Sequence, residues 1–305
     1  MTTPLSRREM LGDVAALAAA FAIPAPLARV LGTAHRADPD RERLAAWTAT
    51  LRTERLSDAQ RPLGRAVVRV GEQAVGTPYE AYTLEAYLKA GGKPTSLEPL
   101  TLSLTRFDCV TLVESCLAIA RVARTGGAPT WERFGREVER MRYRGGTRGD
   151  YTSRNHYFSE WISDGERRGL VRDVGAELGG IEDTRPLRFM TEHRASYPAL
   201  ADDGVYRAIG EMERRLDARA RRVIPTARIA DVADRIQTGD VLAFATSIPG
   251  LDVSHSAMAY RDRDGVLRVL HAPLSGGVVE VTKTTLPEYV AKIRRSTGIL
   301  VARPL

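Results

Sequence analysis

The segment DCVTLVESCLAIARVAR, residues 108–124, determines how this 305-residue chain is interpreted. Its apolar residues recur at the i, i+3, i+4, i+7 spacing that places them on one face of a helix. Asp108 is a favourable N-cap before this segment, and Gly126-Gly127 is a stop signal after it. We therefore predict a helix from about Asp108 to Arg124 with one face in the core.

The first residue of that helix is predicted to be Cys109. Unpaired N–H groups and the positive end of the helix dipole favour a thiolate there, which is the nucleophilic form of cysteine. The other cysteine, Cys116, lies two turns further along the apolar stripe and is predicted to be a packing residue. Two helical turns rise about 10.5 Å, beyond the roughly 7 Å Cα separation that a disulfide allows. Both thiols are therefore expected to be free.

Helical patterns fill most of the chain before residue 236, and period-two apolar patterns follow it. Helices are predicted in 41–75 with a break at Pro62, and in 131–143, 156–164 and 203–219. Strands are predicted at 240–245, 255–260, 266–271 and 278–281. This order indicates an α+β fold, in which N-terminal helices pack on a C-terminal antiparallel sheet.

Two of the five histidines fall on neighbouring predicted strands. The turn sequence between these strands, residues 261–265, predicts a hairpin with a five-residue loop. If Tyr260 pairs with Val266, then His255 lies opposite His271 on one face, with Cβ atoms about 5 Å apart. One imidazole would then be oriented by the other, as a general base requires.

A cysteine hydrolase needs a thiolate, an imidazole that moves the proton, and a third polar group that fixes the imidazole tautomer. Cys109, His255 and His271 match these roles in that order, and the N–H groups at the helix start are placed to stabilise an oxyanion. The alternative is a zinc site formed by the same three side chains. A structural zinc site needs a fourth ligand, and none lies at a typical spacing. We therefore expect no metal and no cofactor.

The formal charge of +7 suits an anionic partner, such as nucleic acid, a cell wall or a membrane surface. The basic residues are spread along the chain, without a basic segment interleaved with aromatic residues. Zinc-finger spacing and RNP-like aromatic patterns are also missing from the sequence. Nucleic-acid binding is therefore not expected.

The first residues indicate export. A twin arginine in 6–11 (SRREML) precedes a weakly apolar stretch at 14–23, and 32–34 (GTA) offers small residues for cleavage. About ten apolar residues are too few to span a bilayer. We predict that 1–34 is a twin-arginine-type signal peptide and that 35–305 is a single hydrolase domain. This domain would be periplasmic or extracellular, with no integral membrane segment. An amphipathic N-terminal helix is the alternative interpretation.

Several short motifs together resemble the NlpC/P60 superfamily of cell-wall cysteine hydrolases. They are Gly76-Thr77-Pro78-Tyr79, Phe107-Asp108-Cys109, Gly239-Asp240-Val241, Ser254-His255 and His271-Ala272. The resemblance is greater to the N-acetylmuramoyl-L-alanine amidase-like branch, through 106–114, 153–158 with Trp161, and 250–255. It runs from about residue 70 to the C-terminus. Residues 165–235 are poorly anchored in it, and we interpret them as a helical insertion.

This resemblance implies a papain-like core and cleavage of amide bonds in peptidoglycan stem peptides, with peptidoglycan fragments or the sacculus as partner. The implied catalytic set is Cys109, His255 and His271. The residues implied to line the substrate groove are Tyr79, Arg106, Asp108, Arg154, Asn155, His156, Trp161 and Ser254. Arginine suits the carboxylates of stem peptides. Solvent-facing, hydrogen-bonding and core roles are the alternatives for Arg154, His156 and Trp161, respectively.

The sequence departs from the commoner NlpC/P60 pattern after the cysteine. That pattern has Asp-Cys-Ser-Gly where this chain has Asp108-Cys109-Val110-Thr111. The bond that is cleaved is therefore left open, between the lactyl–L-Ala amide and a γ-D-Glu peptide bond. Acyl transfer by the same Cys-His pair, and wall binding without catalysis, also stay open.

Overall fold

Residues 38–273 and 277–305 are described by the structure, which is a computed structural model. They belong to one compact unit. The predicted signal peptide lies outside the described residues, so its boundary at residue 34 stays a prediction. Within the described ranges, no helix is long and apolar enough to cross a bilayer.

Eight antiparallel strands form one sheet at the centre of the molecule. They are β1 (Val171–Asp173), β2 (Ile181–Asp183), β3 (Arg221–Pro225), β4 (Val241–Thr246), β5 (Val253–Arg261), β6 (Leu267–His271), β7 (Glu280–Val281) and β8 (Ser296–Pro304). The strand order is β2-β3-β8-β4-β5-β6-β7, and β1 pairs with β8 outside this path. The last strand along the chain therefore lies between β3 and β4, inside the sheet.

Helices cover both faces of this sheet. The α-helices are α1 (Pro39–Thr53), α2 (Leu63–Ala74), α3 (Ala86–Lys89), α4 (Cys109–Arg124), α5 (Trp131–Arg142), α6 (Phe158–Arg167), α7 (Phe189–Glu192), α8 (Asp203–Asp217), α9 (Ile229–Val232) and α10 (Leu286–Lys292). Short 3₁₀ turns lie at Thr83–Glu85, Arg144–Gly146, Tyr151–Ser153, Arg194–Ser196, Pro198–Ala201, Thr226–Arg228 and Ala233–Arg235.

Successive side chains of a strand point to opposite faces of the sheet, so the strands contribute to two separate hydrophobic cores. Ala243 and Met258 face α4, which is surrounded by α1, α2 and α5. Leu242 and Phe244 point to the opposite face and pack under α9 and α10. A third, smaller core lies beneath α8 and includes Ile209. The long apolar helix α4 is therefore held between other helices and one face of the sheet.

The structure confirms the α+β class and the helix predicted around Cys109, and it places Cys116 in the core. The four predicted strands are present, with shifted ends. The prediction that 165–235 is a helical insertion is incomplete, because this region also supplies β1, β2 and β3. Neither β8 nor α10 was predicted from the sequence.

The register of the β5–β6 hairpin differs from the prediction by two residues. Tyr260 pairs with Arg268 rather than with Val266. The turn begins one residue later than expected, because Asp262 accepts a hydrogen bond from the N–H of Val266 on its carboxylate at 2.8 Å. A shift of two residues preserves the face on which a side chain lies. His255 and His271 therefore still share a face, in a diagonal rather than a directly opposite arrangement.

A close backbone contact fixes α2 against the turn before β4. A Cβ atom added to Gly64 would lie 2.1 Å from the carbonyl oxygen of Thr238. Gly239 has φ of +86° and comes equally close to the backbone of Gly64. Two glycines therefore allow the helix layer to meet the sheet at this point.

Gly64→Ala is expected to lower the free energy of unfolding by roughly 1–3 kcal/mol, because the new methyl group would meet backbone that cannot rotate away. Gly210→Ala in α8 is the matched control, since its Cβ would lie 3.5 Å from Thr191, an ordinary contact. The control should be neutral or should stabilise the protein by up to about 1 kcal/mol. Urea unfolding of the two variants compares them, and equal stability of Gly64→Ala and the wild type would contradict the close approach.

Candidate active site

The first turn of α4 is fixed by reciprocal hydrogen bonds. The N–H of Thr111 donates to Oδ1 of Asp108 at 2.8 Å, and the N–H of Asp108 donates to Oγ1 of Thr111 at 2.9 Å. This is a capping box, which satisfies N–H groups that the helix itself leaves unpaired. Cys109 therefore occupies the first helical position, as predicted, and is partly exposed, and it and the buried Cys116 are free thiols.

The thiol of Cys109 faces β5 and the segment around Tyr79. The main-chain N–H and the hydroxyl of Ser256 face its sulfur. Ser256 is buried, and its hydroxyl has no other partner in the part of the chain that the structure describes. Tyr79 lies beside the same thiol and is held by a bridge to Phe107. A helix terminus, a strand and a tyrosine thus meet at this sulfur.

The loop that leads into β5 is tied to two helices. Asp252 is buried and accepts a hydrogen bond from the N–H of Ser159, at the start of α6, at 2.8 Å. The carbonyl of Gly250 accepts hydrogen bonds from the N–H groups of Arg188 and Phe189, each at 3.0 Å. These contacts fix the position of the strand that carries His255.

The two histidines of β5 and β6 are hydrogen-bonded to each other. Nε2 of His255 lies 2.8 Å from Nδ1 of His271, and the two rings are nearly perpendicular, at 72°. The His255 ring also stacks on Phe244 at a centroid distance of 5.5 Å. The hydroxyl of Tyr289 in α10 lies 3.3 Å from Nδ1 of His271. Nε2 of His255 is therefore engaged by the second imidazole.

The electrostatics favour neutral forms of these groups. Burial, together with the charge of Asp108, raises the pKa of the Cys109 thiol to about 11, although the donors of Ser256 act in the opposite direction. Burial and the neighbouring His271 lower the pKa of His255 to about 3, and burial lowers the pKa of His271 to about 4. Burial therefore acts against the resting thiolate that the helix dipole favours.

Three of the residues predicted to line a substrate groove are accessible. Tyr79 is partly exposed beside Cys109. Arg106 is exposed, and its Nε lies 3.3 Å from a carboxylate oxygen of Glu80. Ser254 is exposed on β5, next to His255. Asp108 is only partly exposed, and its carboxylate is occupied by the helix cap.

The structure places Arg154 in the interior instead of a groove. Its guanidinium is buried, with one nitrogen 2.5 Å from Glu85 and another 3.7 Å from Glu98. The guanidinium carbon also lies 5.0 Å from the ring centroid of Tyr151. Because two carboxylates already surround this buried charge, the contacts favour a structural role for Arg154 over the predicted binding of a substrate carboxylate.

The neighbours of Arg154 also serve the fold. Trp161 is buried and stacks on Phe158. Nε2 of His156 lies 2.8 Å from the carbonyl oxygen of Tyr151, and burial lowers the pKa of His156 well below its usual value. The side chain of Asn155 donates to the carbonyl of Met141 at 3.1 Å. These contacts favour the structural interpretation of these residues over a role in substrate binding.

Four residues at the site were not singled out in the sequence. They are Phe244, Ser256, Glu280 and Tyr289. Ser256 follows His255 directly in the sequence. Only the orientation of strand β5 could have indicated that Ser256 faces Cys109. Tyr289 lies on a helix that the sequence analysis did not predict. Within the described ranges, no group of three or more His, Cys, Asp or Glu side chains is arranged to bind a metal ion.

A family model of N-acetylmuramoyl-L-alanine amidase-like proteins, named AmiA-like, matches residues 69–299. This range contains the thiol, both histidines and most of the sheet. The chain belongs to the AmiA-like family. Comparison with curated proteins gives no match.

Solved structures support the membership of this chain in the AmiA-like family. An N-acetylmuramoyl-L-alanine amidase from Bacteroides uniformis is 29% identical, with a TM-score of 0.70, over 80% of this chain and 99% of that one. A protein described as a putative xylanase from Bacteroides fragilis is 34% identical, with a TM-score of 0.68, over 76% of this chain and 98% of that one. The names of these two structures differ, so the amidase name alone does not define the reaction.

A more distant structure shares the fold alone. It is a Legionella pneumophila protein of the DUF1460 family, 19% identical, with a TM-score of 0.62, over 87% of this chain and 94% of that one. The AmiA-like chain therefore has the overall architecture of proteins whose sequences have diverged widely.

The buried His271 of this AmiA-like chain is expected to make its stability depend on pH. Its pKa of about 4 in the folded protein is below the value of about 6.5 in an unfolded chain. Between pH 6.5 and 5, His271 is therefore protonated in the unfolded chain but stays neutral in the folded protein. The free energy of unfolding contributed by this group is full above pH 6.5 and falls by roughly 2 kcal/mol by pH 5.

Urea unfolding of the wild type and of His271→Asn at pH 7, 6 and 5 measures this contribution. Asparagine cannot take up the proton, so the variant should lose roughly 2 kcal/mol less than the wild type over the same interval. Equal losses in the two proteins would contradict a neutral, buried His271.

Proposed function

We propose that this chain is an exported cysteine amidase that hydrolyses an amide bond in peptidoglycan stem peptides through a thioester on Cys109. The observation that carries the proposal is a thiol at the start of a helix, packed against a strand whose imidazole is hydrogen-bonded to a second imidazole. The family, and relatives named N-acetylmuramoyl-L-alanine amidase, support an amide of the cell wall as substrate.

The fold is consistent with a papain-like core of the NlpC/P60 type. In such a core, the helix that carries the nucleophile packs on an antiparallel sheet that carries the base. In this chain α4 packs on β5, and β5 carries His255. The motifs that resemble NlpC/P60 proteins lie on these same elements, which supports the assignment to that superfamily.

In this mechanism the proton moves while the nucleophile attacks, because burial raises the pKa of the thiol and lowers the pKa of both imidazoles, which favours their neutral forms. Nδ1 of His255 accepts the proton of the Cys109 thiol, and the sulfur attacks the amide carbonyl carbon. His271 stabilises the imidazolium that forms, because its Nδ1 accepts the Nε2–H of His255. The histidine pair therefore acts as a general base and not as a permanent partner of a thiolate.

The next steps return that proton. The N–H groups of Cys109 and Ser256, which both face the sulfur, are placed to donate to the oxyanion of the tetrahedral intermediate. The imidazolium of His255 protonates the leaving amine nitrogen, the C–N bond breaks, and an acyl thioester remains. A water molecule then attacks the thioester carbonyl carbon while His255 accepts one of its protons. The C–S bond breaks, the carboxylic acid product leaves, and His255 returns the proton to the sulfur of Cys109.

Cys109→Ala is expected to lower kcat/KM on defined muropeptides by at least about 10³-fold, because the nucleophile is lost. Cys116→Ala is the matched control on the same helix. This variant also removes one sulfur atom, but from the core, two helical turns away from Cys109. It should retain most of the activity. Mass spectrometry of the products measures both effects.

The product masses distinguish the candidate reactions. Release of the whole stem peptide, with a free L-Ala amine and a sugar that keeps its lactyl carboxylate, identifies the lactyl–L-Ala amide, and cleavage after D-Glu identifies the γ-peptide bond. Incorporation of an added amine identifies acyl transfer. Equal activity of Cys109→Ala and the wild type would contradict the cysteine mechanism, and an inactive wild type would favour wall binding without catalysis.

Export by the twin-arginine route is the remaining part of the proposal, and it rests on the sequence of the first 34 residues. Replacing Arg7 and Arg8 by lysine is expected to leave the protein in the cytoplasm, because the export receptor recognises both arginines. Cell fractionation and immunoblotting measure its location. Replacing Arg29 by lysine, outside the motif, is the control, and equal export of the Arg7/Arg8 variant and this control would contradict the route.

A further inference from the structure

The two ring nitrogens of His271 have different surroundings. Nε2 of His271 is buried and has no hydrogen-bond partner within the described residues. A buried polar nitrogen without a partner costs free energy, so such a group calls for an explanation. The carboxylate Oε1 of Glu280 lies 3.7 Å from it. Glu280 is the residue paired with His271 across β6 and β7.

The chemistry of the site fixes which nitrogens carry hydrogen. A neutral imidazole has one N–H and one acceptor nitrogen. If Nδ1 of His255 is to accept the thiol proton, its hydrogen must be on Nε2, which then donates to Nδ1 of His271. His271 must consequently carry its own hydrogen on Nε2, the nitrogen that faces Glu280.

The other groups around His271 are compatible with the same tautomer. The hydroxyl of Tyr289 lies 3.3 Å from Nδ1 and is compatible with this tautomer, although a tyrosine hydroxyl can donate or accept and so does not select it alone. Phe244 packs against the His255 and Tyr289 rings and offers no acceptor. Glu280 thus supplies the acceptor on the Nε2 side, and its side chain is 47% exposed, which leaves it room to close the 3.7 Å gap.

We propose that Glu280 is a positioning residue: its carboxylate accepts the Nε2–H of His271 and so holds His255 in the tautomer whose Nδ1 can receive a proton. Its importance for the reaction rests on the proposed function of the Cys109 thiol. The tautomer can nevertheless be measured independently of that function, because it is a property of the protein without substrate. The hydrogen-bonded series then runs from His255 through His271 to Glu280.

The direct test is NMR of the full chain labelled with ¹⁵N-histidine, in which long-range ¹H–¹⁵N correlations distinguish Nδ1–H from Nε2–H rings. The chain has five histidines, so the spectrum is simple, and His255→Asn and His271→Asn assign the two rings. In the wild type both rings should be Nε2–H tautomers. Glu280→Ala should shift His271 to a mixture of the two tautomers, and Glu280→Gln, which keeps an acceptor oxygen, should restore the wild-type pattern.

A matched control lies on the opposite edge of the sheet. Glu182 is an exposed glutamate on β2, whereas Glu280 is on β7, at the other end of the strand order. Glu182→Ala should leave both rings unchanged. An unchanged His271 ring in Glu280→Ala, or the same change in Glu182→Ala, would overturn the proposal.

Kinetics on muropeptides give the second measurement. Glu280→Ala should lower kcat roughly 10-fold with little change in KM, as the loss of a group that orients an active-site histidine does. Glu280→Gln should retain most of kcat. If the tautomers change as expected while the wild type cleaves no muropeptide, the positioning role stands and the proposed function fails. If the wild type is active and kcat is equal in Glu280→Ala, the positioning role is overturned.

Discussion

The packing of the first turn of α4 against β5 is the constraint on which the rest of the site depends. The capping box at Asp108 and Thr111 fixes where the helix begins, and the sheet fixes what its first residue faces. The same burial removes solvent from Cys109, which raises the pKa of its thiol. The packing that positions Cys109 therefore also disfavours the ionised form of its thiol. Under the proposed function, neutral forms of the thiol and of His255 are compatible with this burial, since the proton needs to move only when a substrate is attacked.

The proposed catalytic residues lie towards one edge of the sheet, and residues 165–235, which match the family motifs poorly, lie towards the other. The histidines and Glu280 lie on β5, β6 and β7, towards one edge, and the strands of region 165–235 lie towards the other. Region 165–235 still reaches the site indirectly, because the carbonyl of Gly250 accepts hydrogen bonds from the N–H groups at the start of α7. The loop before His255 is thus supported by elements that carry no catalytic group.

Local signals in the sequence were sufficient for α4, because its apolar period, its cap and its glycine stop lie within twenty residues. They were also sufficient for the face shared by His255 and His271, which depends only on parity, but not for their register, which the hydrogen bonds of Asp262 shift by two residues. The burial of Arg154 had no local signal, because its partner Glu85 is 69 residues away in the chain. The contribution of β1–β3 to the sheet was missed for the same reason, since they pair with β8 or with each other over long separations.

The position of β8 has a consequence for how the protein is made. This strand comes after all the others along the chain, yet it pairs with β4 on one side and with β1 and β3 on the other. Until residues 296–304 leave the ribosome, β3 and β4 have exposed edges, and the sheet cannot close. Closure of the sheet therefore waits for this last strand, and the nascent chain depends on shielding of those edges from other chains until then.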